Sequence, residues 1–256
     1  MRYTELMESQ VVALDQLPNF EEVMQGNEYK CISIPSNSIN SLQGCPEFLD
    51  KALNISDQPQ LKSLEYAPKK ITHKYGISIG DTGITSLKHC PEVQSLSLNA
   101  NPDLPTLQGC PSTLRNFSIR DCPLIKNFVG GPDVITDTFN ARNQNVQSYE
   151  GAPKSITWKC TIQALPSMAN FDKYFPVING WLEVHMNAHA LPTNMLRILN
   201  VQGLKKVTFL NGFFSDAEPI EELTQLFNEY LPQGKRGMMA CQTALIKAGY
   251  HEQAKL

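Results

Sequence analysis

The chain has 256 residues, of which 41% are apolar and 18% are charged, and its formal net charge is −3. This composition suits one continuous core, and the near-balanced charge gives no general attraction to nucleic acid or anionic lipid. No apolar run approaches the ~20 residues that a membrane span needs, and the start lacks the features of a signal peptide. The 7 cysteines are odd in number and include no CxxC pair, which favours reduced thiols in a cytoplasm.

Residues 1–30 carry short helix and strand patterns. A helix pattern covers 3–8, a strand pattern covers 11–14, and a helix of one or two turns starts at Asn19 and ends at Gly26. We predict that this segment is an N-terminal cap, because the first unit of a stacked array would otherwise expose its core and a strand edge.

From residue 31 onward, one pattern recurs every 20–23 residues. A small residue is followed by proline at Pro46, Pro68, Pro91, Pro111, Pro132 and Pro153. A large apolar residue stands four positions before each proline, at Leu42, Leu64, Leu87, Leu107, Phe128 and Tyr149. Another aliphatic residue stands seven positions before it, at Ile39, Leu61, Ile84, Leu104, Ile125 and Val146. Three linked positions held through six copies indicate one structural unit per repeat.

Each of these units begins with an alternating apolar pair, which is typical of a short strand with one buried face. The pairs are Ile32/Ile34, Leu53/Ile55, Ile77/Ile79, Leu96/Leu98 and Phe117/Ile119. Thr138/Asn140 is a weaker pair, where Phe139 could point inward instead, and Trp158/Cys160 begins a seventh unit. Three residues after the pairs come Asn37, Gln58, Thr82, Asn101, Cys122, Asn143 and Gln163. Stacked units of this kind form a parallel sheet over a shared core.

The pattern resembles the leucine-rich repeat, L-x-x-L-x-L-x-x-N/C-x-L, over about residues 31–170. The resemblance implies an α/β solenoid, a horseshoe whose concave side is a parallel sheet. Units of 20–23 residues leave no room for a long helix, and proline disfavours one, so the convex side should be mostly non-helical. Several copies depart from the pattern by reading N-x-x-L, and only three of the seven amide positions are Asn, so we expect a patchy side-chain ladder.

Short repeats of this type are similar to those of bacterial effectors and of leucine-rich-repeat-like proteins of bacteriophages. The phrases "SLEYAPKKI" and "SYEGAPKSI" favour the bacteriophage type. This resemblance implies a protein that acts in the bacterial host cytoplasm on a host protein, such as a defence component.

After about residue 170 the units lengthen. Leu182 and Val184 predict an eighth strand, a helical pattern follows with Thr193 or Asn194 as its cap and Gly203 as its stop, and Val207 and Phe209 predict a ninth strand. We predict repeats over 31–213 and a C-terminal helical cap over 214–256. Its first helix should be capped by Ser215 or Asp216, with Pro219 in the first turn. Its second should carry Met238, Cys241, Leu245 and Ala248 on one face and stop at Gly249.

Residues that could carry chemistry mostly have structural explanations. Cys45, Cys90 and Cys110 share one repeat position with Ala67, Gly131 and Ala152, which indicates small, buried residues. His185 and His189 flank a strand end and lack a third ligand nearby. Lys69, Lys70, His73 and Lys74 are too few to indicate nucleic-acid binding. With no phosphate-binding loop or nucleophile motif, we expect neither an enzyme nor a cofactor or metal.

The outward residues of the sheet are the remaining candidate site. In the first half they are short and polar: Ser33, Asn54, Ser78, Ser97, Asn99 and Ser118. In the second half they are larger: Arg120, Asp121, Arg142, Lys159, Trp181, Glu183, His185 and Met186. Arg, Trp and Met are enriched at interfaces, so we expect a non-enzymatic module that binds a protein partner on this face. The alternatives are a structural, virion-associated or self-assembling protein, and an enzyme or small-ligand binder with a pocket near the C-terminal repeats.

Overall fold

The computed structural model describes residues 31–34, 39–143, 145–212 and 217–256. The predicted N-terminal cap over 1–30, Asn37, and the predicted helix caps Ser215 and Asp216 lie outside the described residues. Within the described ranges, no helix is long and apolar enough to cross a membrane.

The described chain is built mainly from short strands. They are β1 (Cys31–Ser33), β2 (Phe48–Leu49), β3 (Ala52–Gln58), β4 (Lys70–Ile71), β5 (Ile77–Thr82), β6 (Ser95–Asn99), β7 (Thr113–Arg120), β8 (Val134–Arg142), β9 (Ser155–Ile156), β10 (Lys159–Gln163), β11 (Val177–Ile178), β12 (Trp181–Met186), β13 (Lys206–Asn211) and β14 (Glu218–Pro219). The main sheet runs β1-β3-β5-β6-β7-β8-β10-β12-β13 in parallel, and β14 joins it antiparallel. Each repeat therefore adds one strand beside the last, giving a parallel-strand solenoid of about eight turns with few helices.

The register of the main sheet aligns the apolar pairs from one repeat to the next. Leu53 lies opposite Ile77, Ile77 opposite Leu96, and Leu96 opposite Phe117. All of these side chains are buried, because alternate residues of a strand point to opposite faces and one face covers the core. The predicted strands are confirmed at these positions.

Two of the predicted pairs need correction. Phe139 is fully buried and pairs with Phe117, so Thr138 and Asn140 face outward and the buried pair is Phe139/Ala141. In the next repeat the buried pair is Cys160/Ile162, and Trp158 is 55% exposed. A shift of one residue in a strand moves every side chain to the other face of the sheet. A pair predicted one residue out of place therefore assigns core residues to the surface and surface residues to the core.

A recurring turn follows the two apolar anchor positions of each repeat, which are buried apart from the partly buried Val146. The N–H of the small residue donates to the carbonyl of the anchor three positions earlier, as Cys110 does to Leu107 at 3.0 Å. The residue just before the small one has a left-handed φ, at Gly44, Tyr66, His89, Gly109, Gly130 and Gly151. Glycine predominates because this conformation carries no penalty for it.

A second parallel ladder runs along an adjoining side of the solenoid. It joins β2 to β4, Lys70 to Glu92, the first residues of β7 and β8, and then β9 and β11. Its inward side chains are buried and lie two or three positions after each repeat proline: Leu49, Ile71, Val93, Leu114, Ile135 and Ile156. This side is mostly non-helical and holds short paired strands.

Buried polar side chains bond to the backbone between neighbouring repeats. Asn101 donates through Nδ2 to the Ile79 carbonyl at 2.9 Å and accepts the Thr82 hydroxyl at 2.6 Å. Asn143 accepts the Cys122 N–H at 3.0 Å and donates to its carbonyl at 3.0 Å. A patchy ladder was predicted because Gln, Thr and Cys replace Asn in several repeats. Those residues also take part in hydrogen bonds between repeats, so the ladder of buried polar side chains extends from Gln58 to Asn143.

The longer repeats contain α1 (Phe171–Tyr174) and a 3-10 helix, Met195–Asn200. The predicted helix here is therefore short and of the tighter type. Asn194 is the N-cap residue of this helix, as predicted, but it has a left-handed φ of 58° and its side chain makes no cap bond. Gly203, with φ of 77°, follows the helix as expected. β12 and β13 are the eighth and ninth predicted strands.

The chain ends in α2 (Glu221–Tyr230), a kinked 3-10 segment (Leu231–Gly237) and α3 (Met238–Lys247). Pro219 lies in β14 and precedes α2, so its predicted place in the first turn is wrong. Leu223 and Phe227 of α2 are buried. The predicted face of α3 is confirmed at Cys241 and Leu245, whereas Met238 is partly buried and Ala248 is exposed. Gly249 has φ of 89°, as predicted for a left-handed stop.

Candidate functional site

We define the outer face as the side chains of β1, β3, β5, β6, β7, β8, β10, β12 and β13 that point away from the core, together with Trp158, which precedes β10. Most of them are exposed or partly exposed, but Thr161 is buried. Its central row reads Ser33, Asn54, Ser78, Ser97, Ser118, Asn140, Thr161, Glu183 and Thr208. A second row lies nearer the beginnings of the strands, and its last four residues are Thr138, Lys159, Trp181 and Lys206. A third row toward the strand ends runs through Gly80, Asn99, Arg120 and Arg142, followed by Gln163 and His185. The register thus places the large predicted residues on or next to four neighbouring strands, β7, β8, β10 and β12, and β13 adds Lys206, which was not predicted.

Arg120 and Arg142 lie side by side on β7 and β8. Arg120 donates from Nε to the Asn99 Oδ1 at 2.9 Å, and Arg142 donates from Nε to the Asn140 Oδ1 at 3.2 Å. These bonds to neutral amides orient both guanidinium groups without neutralising their charge. Two like charges on adjacent strands repel, so the arrangement favours the approach of an anionic group.

Asp121 sits at the end of β7 with a left-handed φ of 52°, a conformation that Asp tolerates better than most residues. Its carboxylate lies 3.4 Å from the Arg120 Nε, and both side chains are about half exposed. It also lines a cleft of about 570 Å³ at the strand ends, with Asp57, Asp81 and Asp103. Asp121 therefore lies at the margin of the outer face and weakly screens Arg120.

Lys159 and Glu183 form an ion pair across β10 and β12, with Nζ and Oε1 2.8 Å apart. The Thr161 hydroxyl donates to the other Glu183 oxygen at 3.3 Å. Both charged side chains are less than one-third exposed, so they are held more firmly than most surface pairs.

Two tryptophans form an exposed pair at the start of these strands. The Trp158 and Trp181 ring centroids lie 5.5 Å apart with 30° between their planes, and the residues are 55% and 43% exposed. The Lys206 ammonium lies 5.3 Å from the Trp181 ring centroid, within cation–π range. A Cβ on Gly180 would meet the Trp158 carbonyl oxygen at 1.8 Å, so glycine is required where the two strands approach. Trp158 is not among the predicted site residues, because its spacing from Cys160 predicts a buried pair.

His185 is on the third row but is only 4% exposed. Its Nδ1 lies 2.9 Å from the Gly212 carbonyl oxygen, which can only accept, so Nδ1 carries the proton. Burial lowers the pKa of His185, and the positive charges of Arg142 and Lys159 act in the same direction, whereas the Gly212 bond and Glu183 oppose them. The prediction of His185 as a contact residue needs correction. Its buried ring instead bonds to the backbone of Gly212 at the end of the neighbouring strand. Met186 is also buried.

Several cysteines are poor nucleophiles in this fold because they are buried. Burial raises the pKa of Cys90 and of Cys241 to about 12, and it also raises the pKa of Cys160. A thiol must ionise to attack or to bind a metal, so these groups are unreactive near neutral pH. In the part of the chain that the structure describes, no group of three His, Cys, Asp or Glu residues could hold a metal ion.

The basic residues of the "APKKITHKYG" segment are engaged in local contacts. Lys69 pairs with Glu47 at 2.6 Å, Lys70 pairs with Glu92 at 2.8 Å, and Lys74 lies 5.2 Å from the Tyr75 ring centroid. These contacts place acidic side chains among the basic ones, which weakens the segment as a site for phosphate groups.

A cleft of about 300 Å³ lies where the repeats lengthen, between the turns after β8, β10 and β12. Asn143, Gln163, Leu165, Met186 and Pro192 are among its lining residues. The buried Gln163 Oε1 has no hydrogen-bond partner among the described residues.

No protein family, curated protein or solved structure matches this chain. The leucine-rich-repeat resemblance therefore stays a prediction, and the function is argued from the residues of the chain itself.

Proposed function

We propose that this protein is a non-enzymatic module that binds another protein on the outer face of β7, β8, β10, β12 and β13. The exposed Trp158–Trp181 pair carries the proposal. Tryptophan and arginine are the residues most enriched where binding energy concentrates, and here they share one surface with Arg120 and Arg142. Neighbouring parallel strands hold these side chains on a rigid backbone, so little ordering is needed when a partner binds.

We also propose that the solenoid has the leucine-rich-repeat architecture. In a horseshoe of that kind the outer face is the concave side, which wraps a partner over several strands. The side-chain ladder from Gln58 to Asn143 supports it, since polar groups bond to the backbone of neighbouring repeats. The resemblance to bacteriophage-type repeats adds a bacterial host protein, met in the host cytoplasm, as the expected partner class.

We propose that residues 214–256 cap the last repeat. The helix α2 lies against β13, and side chains of α2 bond to the backbone of this edge strand. A capped edge also opposes the alternative of self-assembly by strand pairing at this end, because its hydrogen-bonding groups are already used.

The test is affinity capture from host lysate with a matched pair of triple variants. R120A/R142A/W181A removes two cations and one aromatic residue from the outer face. K62A/K154A/F48A removes the same groups from exposed positions elsewhere. We expect the first variant to lose the proteins that the native chain captures, as quantified by mass spectrometry, and the second to retain them. Equal capture by both variants would exclude the outer face.

A second candidate function is the binding of a small polar ligand in the cleft beside Gln163. The buried and unpartnered Gln163 Oε1 favours it, because an unsatisfied buried acceptor is costly and a donor group on a ligand would satisfy it. A thermal-shift screen of small amides, amines and nucleosides tests this function. Stabilisation by a compound that is lost in Q163L would support it, and an absence of hits would remove it.

A further inference from the structure

We infer that the partner of the outer face is an acidic protein segment that places an apolar or aromatic side chain on the Trp158–Trp181 pair and carboxylates on the flanking cations. This inference rests on the proposed function and names the chemistry of the partner.

The charge of the outer face differs in sign from the charge of the whole chain. Among the described residues of its three rows, the cations are Arg120, Arg142, Lys159 and Lys206, and the only carboxylate is Glu183. The chain as a whole has a net charge of −3. A local positive surface on an acidic protein steers acidic partners toward it and disfavours basic ones.

The positive charge is also concentrated and available. Glu183 is already paired with Lys159, so it does not compensate the other cations. Arg142 and Lys206 form no ion pair with any residue in the described ranges, and Arg120 has only a half-exposed contact with Asp121. The first half of the face is neutral, with serine and asparagine in its central row. Lys159 and Lys206 therefore flank Trp181 on the neighbouring strands, and Arg120 and Arg142 lie toward the strand ends of the same half of the sheet.

The spacing fits an extended segment that crosses the strands. Lys159 and Lys206 lie on the strands that flank β12, which carries Trp181 between them. Arg120 lies on β7, four strand positions from Lys206 on β13 and four residues further along the strands, so the diagonal between them is about 23 Å at the usual strand spacing and rise. About seven extended residues span that distance. One short segment can therefore contact the arginines, the tryptophan pair and Lys206 together.

Single-stranded nucleic acid also combines negative charge with groups that stack on aromatic rings, but the face suits it less. Glu183 and Asp121 place carboxylates among the cations, where they would repel a regular row of phosphates. Four cations also give weak affinity for a polyanion at physiological salt. Carboxylates of a protein can be spaced to match the cations and to avoid Glu183, so we favour a protein.

The test is a selection from a display library of random peptides of about twelve residues on the full-length protein, with W158A/W181A as the counter-selection target. Circular dichroism and thermal melting confirm that each variant is folded. We expect the enriched peptides to carry net negative charge and at least one Trp, Phe, Leu or Met. In fluorescence anisotropy, R142E/K206E should weaken the best peptide about tenfold or more, and K62E/K154E should leave it within about twofold.

The outcomes separate this inference from the proposed function. Neutral or basic peptides that still require both tryptophans would overturn the acidic partner and keep the outer face as the binding surface. Tighter, tryptophan-dependent binding of a thymidine oligonucleotide at physiological salt would replace the protein partner with nucleic acid. A selection without tryptophan-dependent binders counts against the inference, and the lysate capture decides separately whether the outer face binds protein.

Discussion

The side chain of Asn228 on α2 bonds to both backbone groups of Val207 on β13. The Val207 N–H donates to Oδ1 at 3.0 Å, and Nδ2 donates to the Val207 carbonyl at 2.7 Å. Two residues along, the Phe209 N–H donates to the Thr224 hydroxyl at 3.0 Å and its carbonyl accepts from the Ile220 N–H at 2.8 Å. The helix thus supplies the edge strand with the hydrogen bonds that another strand would otherwise make.

We expect N228L to destabilise the protein, because it leaves the Val207 N–H and carbonyl without these partners. Two unsatisfied, partly buried backbone groups correspond to a loss of about 2–4 kcal/mol in the free energy of unfolding, measured with urea. The control is Q225A, an exposed position on the same helix, which should change this free energy by less than about 0.5 kcal/mol. Similar losses in both variants would contradict the role of Asn228. Association of N228L into larger species on sedimentation would support edge protection.

The ladder of polar side chains between repeats predicts that two asparagines differ in how much they stabilise the protein. Asn101 is fully buried and bonds to Ile79, Asn99 and Thr82, whereas Asn127 bonds through its side chain to the nearby exposed N–H of Val129. We expect N101L to lower the free energy of unfolding by about 3 kcal/mol or more and N127L to lower it by less than about 1 kcal/mol. A smaller effect for N101L than for N127L would show that the ladder does not stabilise the stack.

Much of the main sheet could be predicted because period-2 alternation and the repeat spacing reinforce each other over many copies. The second ladder could not, since strands of two residues such as β2 and β9 have no alternation to detect. Its inward residues do recur after each proline, and that spacing was the available signal. The ladder of buried polar groups was underestimated because Thr82 and Cys122 bond to asparagines of the next repeat rather than acting alone.

The sequence predicted which side of the sheet most candidate site residues lie on, but it did not predict how buried each one is. Arg120, Arg142, Lys159, Trp181 and Glu183 lie on the outer face, as strand alternation required. His185 follows the same alternation, yet it is buried at the end of β12. Met186 comes two residues after the buried Val184, so alternation places it on the core side. Trp158 precedes β10, so its alternation with Cys160 predicts the wrong face, and its contact with Trp181 depends on the pairing of two repeats. Such contacts between repeats cannot be read from one repeat.

We expect alkaline pH to destabilise the protein partly through Cys241. Burial raises the pKa of this fully buried thiol from the ordinary value of 9.0 to about 12, so the unfolded chain loses the proton first. Its contribution to stability is therefore fully present below about pH 9 and is lost as the pH rises toward about 12. Urea unfolding over this range should show a shallower decline for C241A than for the native chain. Parallel pH profiles for the two proteins would contradict this assignment.

The tryptophan pair predicts an asymmetric response to ionic quenchers. Trp158 and Trp181 are the 2 tryptophans of the chain, so intrinsic fluorescence reports on the outer face alone. Their exposure should give efficient quenching by acrylamide, and Lys159 and Lys206 should attract iodide and repel caesium. We expect iodide to quench at least about twice as strongly as caesium at low salt, with the difference reduced in K206E and unchanged in K154E. Equal quenching by the two ions, or a K206E value equal to that of the native chain, would show that the face lacks the positive field on which the inference of an acidic partner rests.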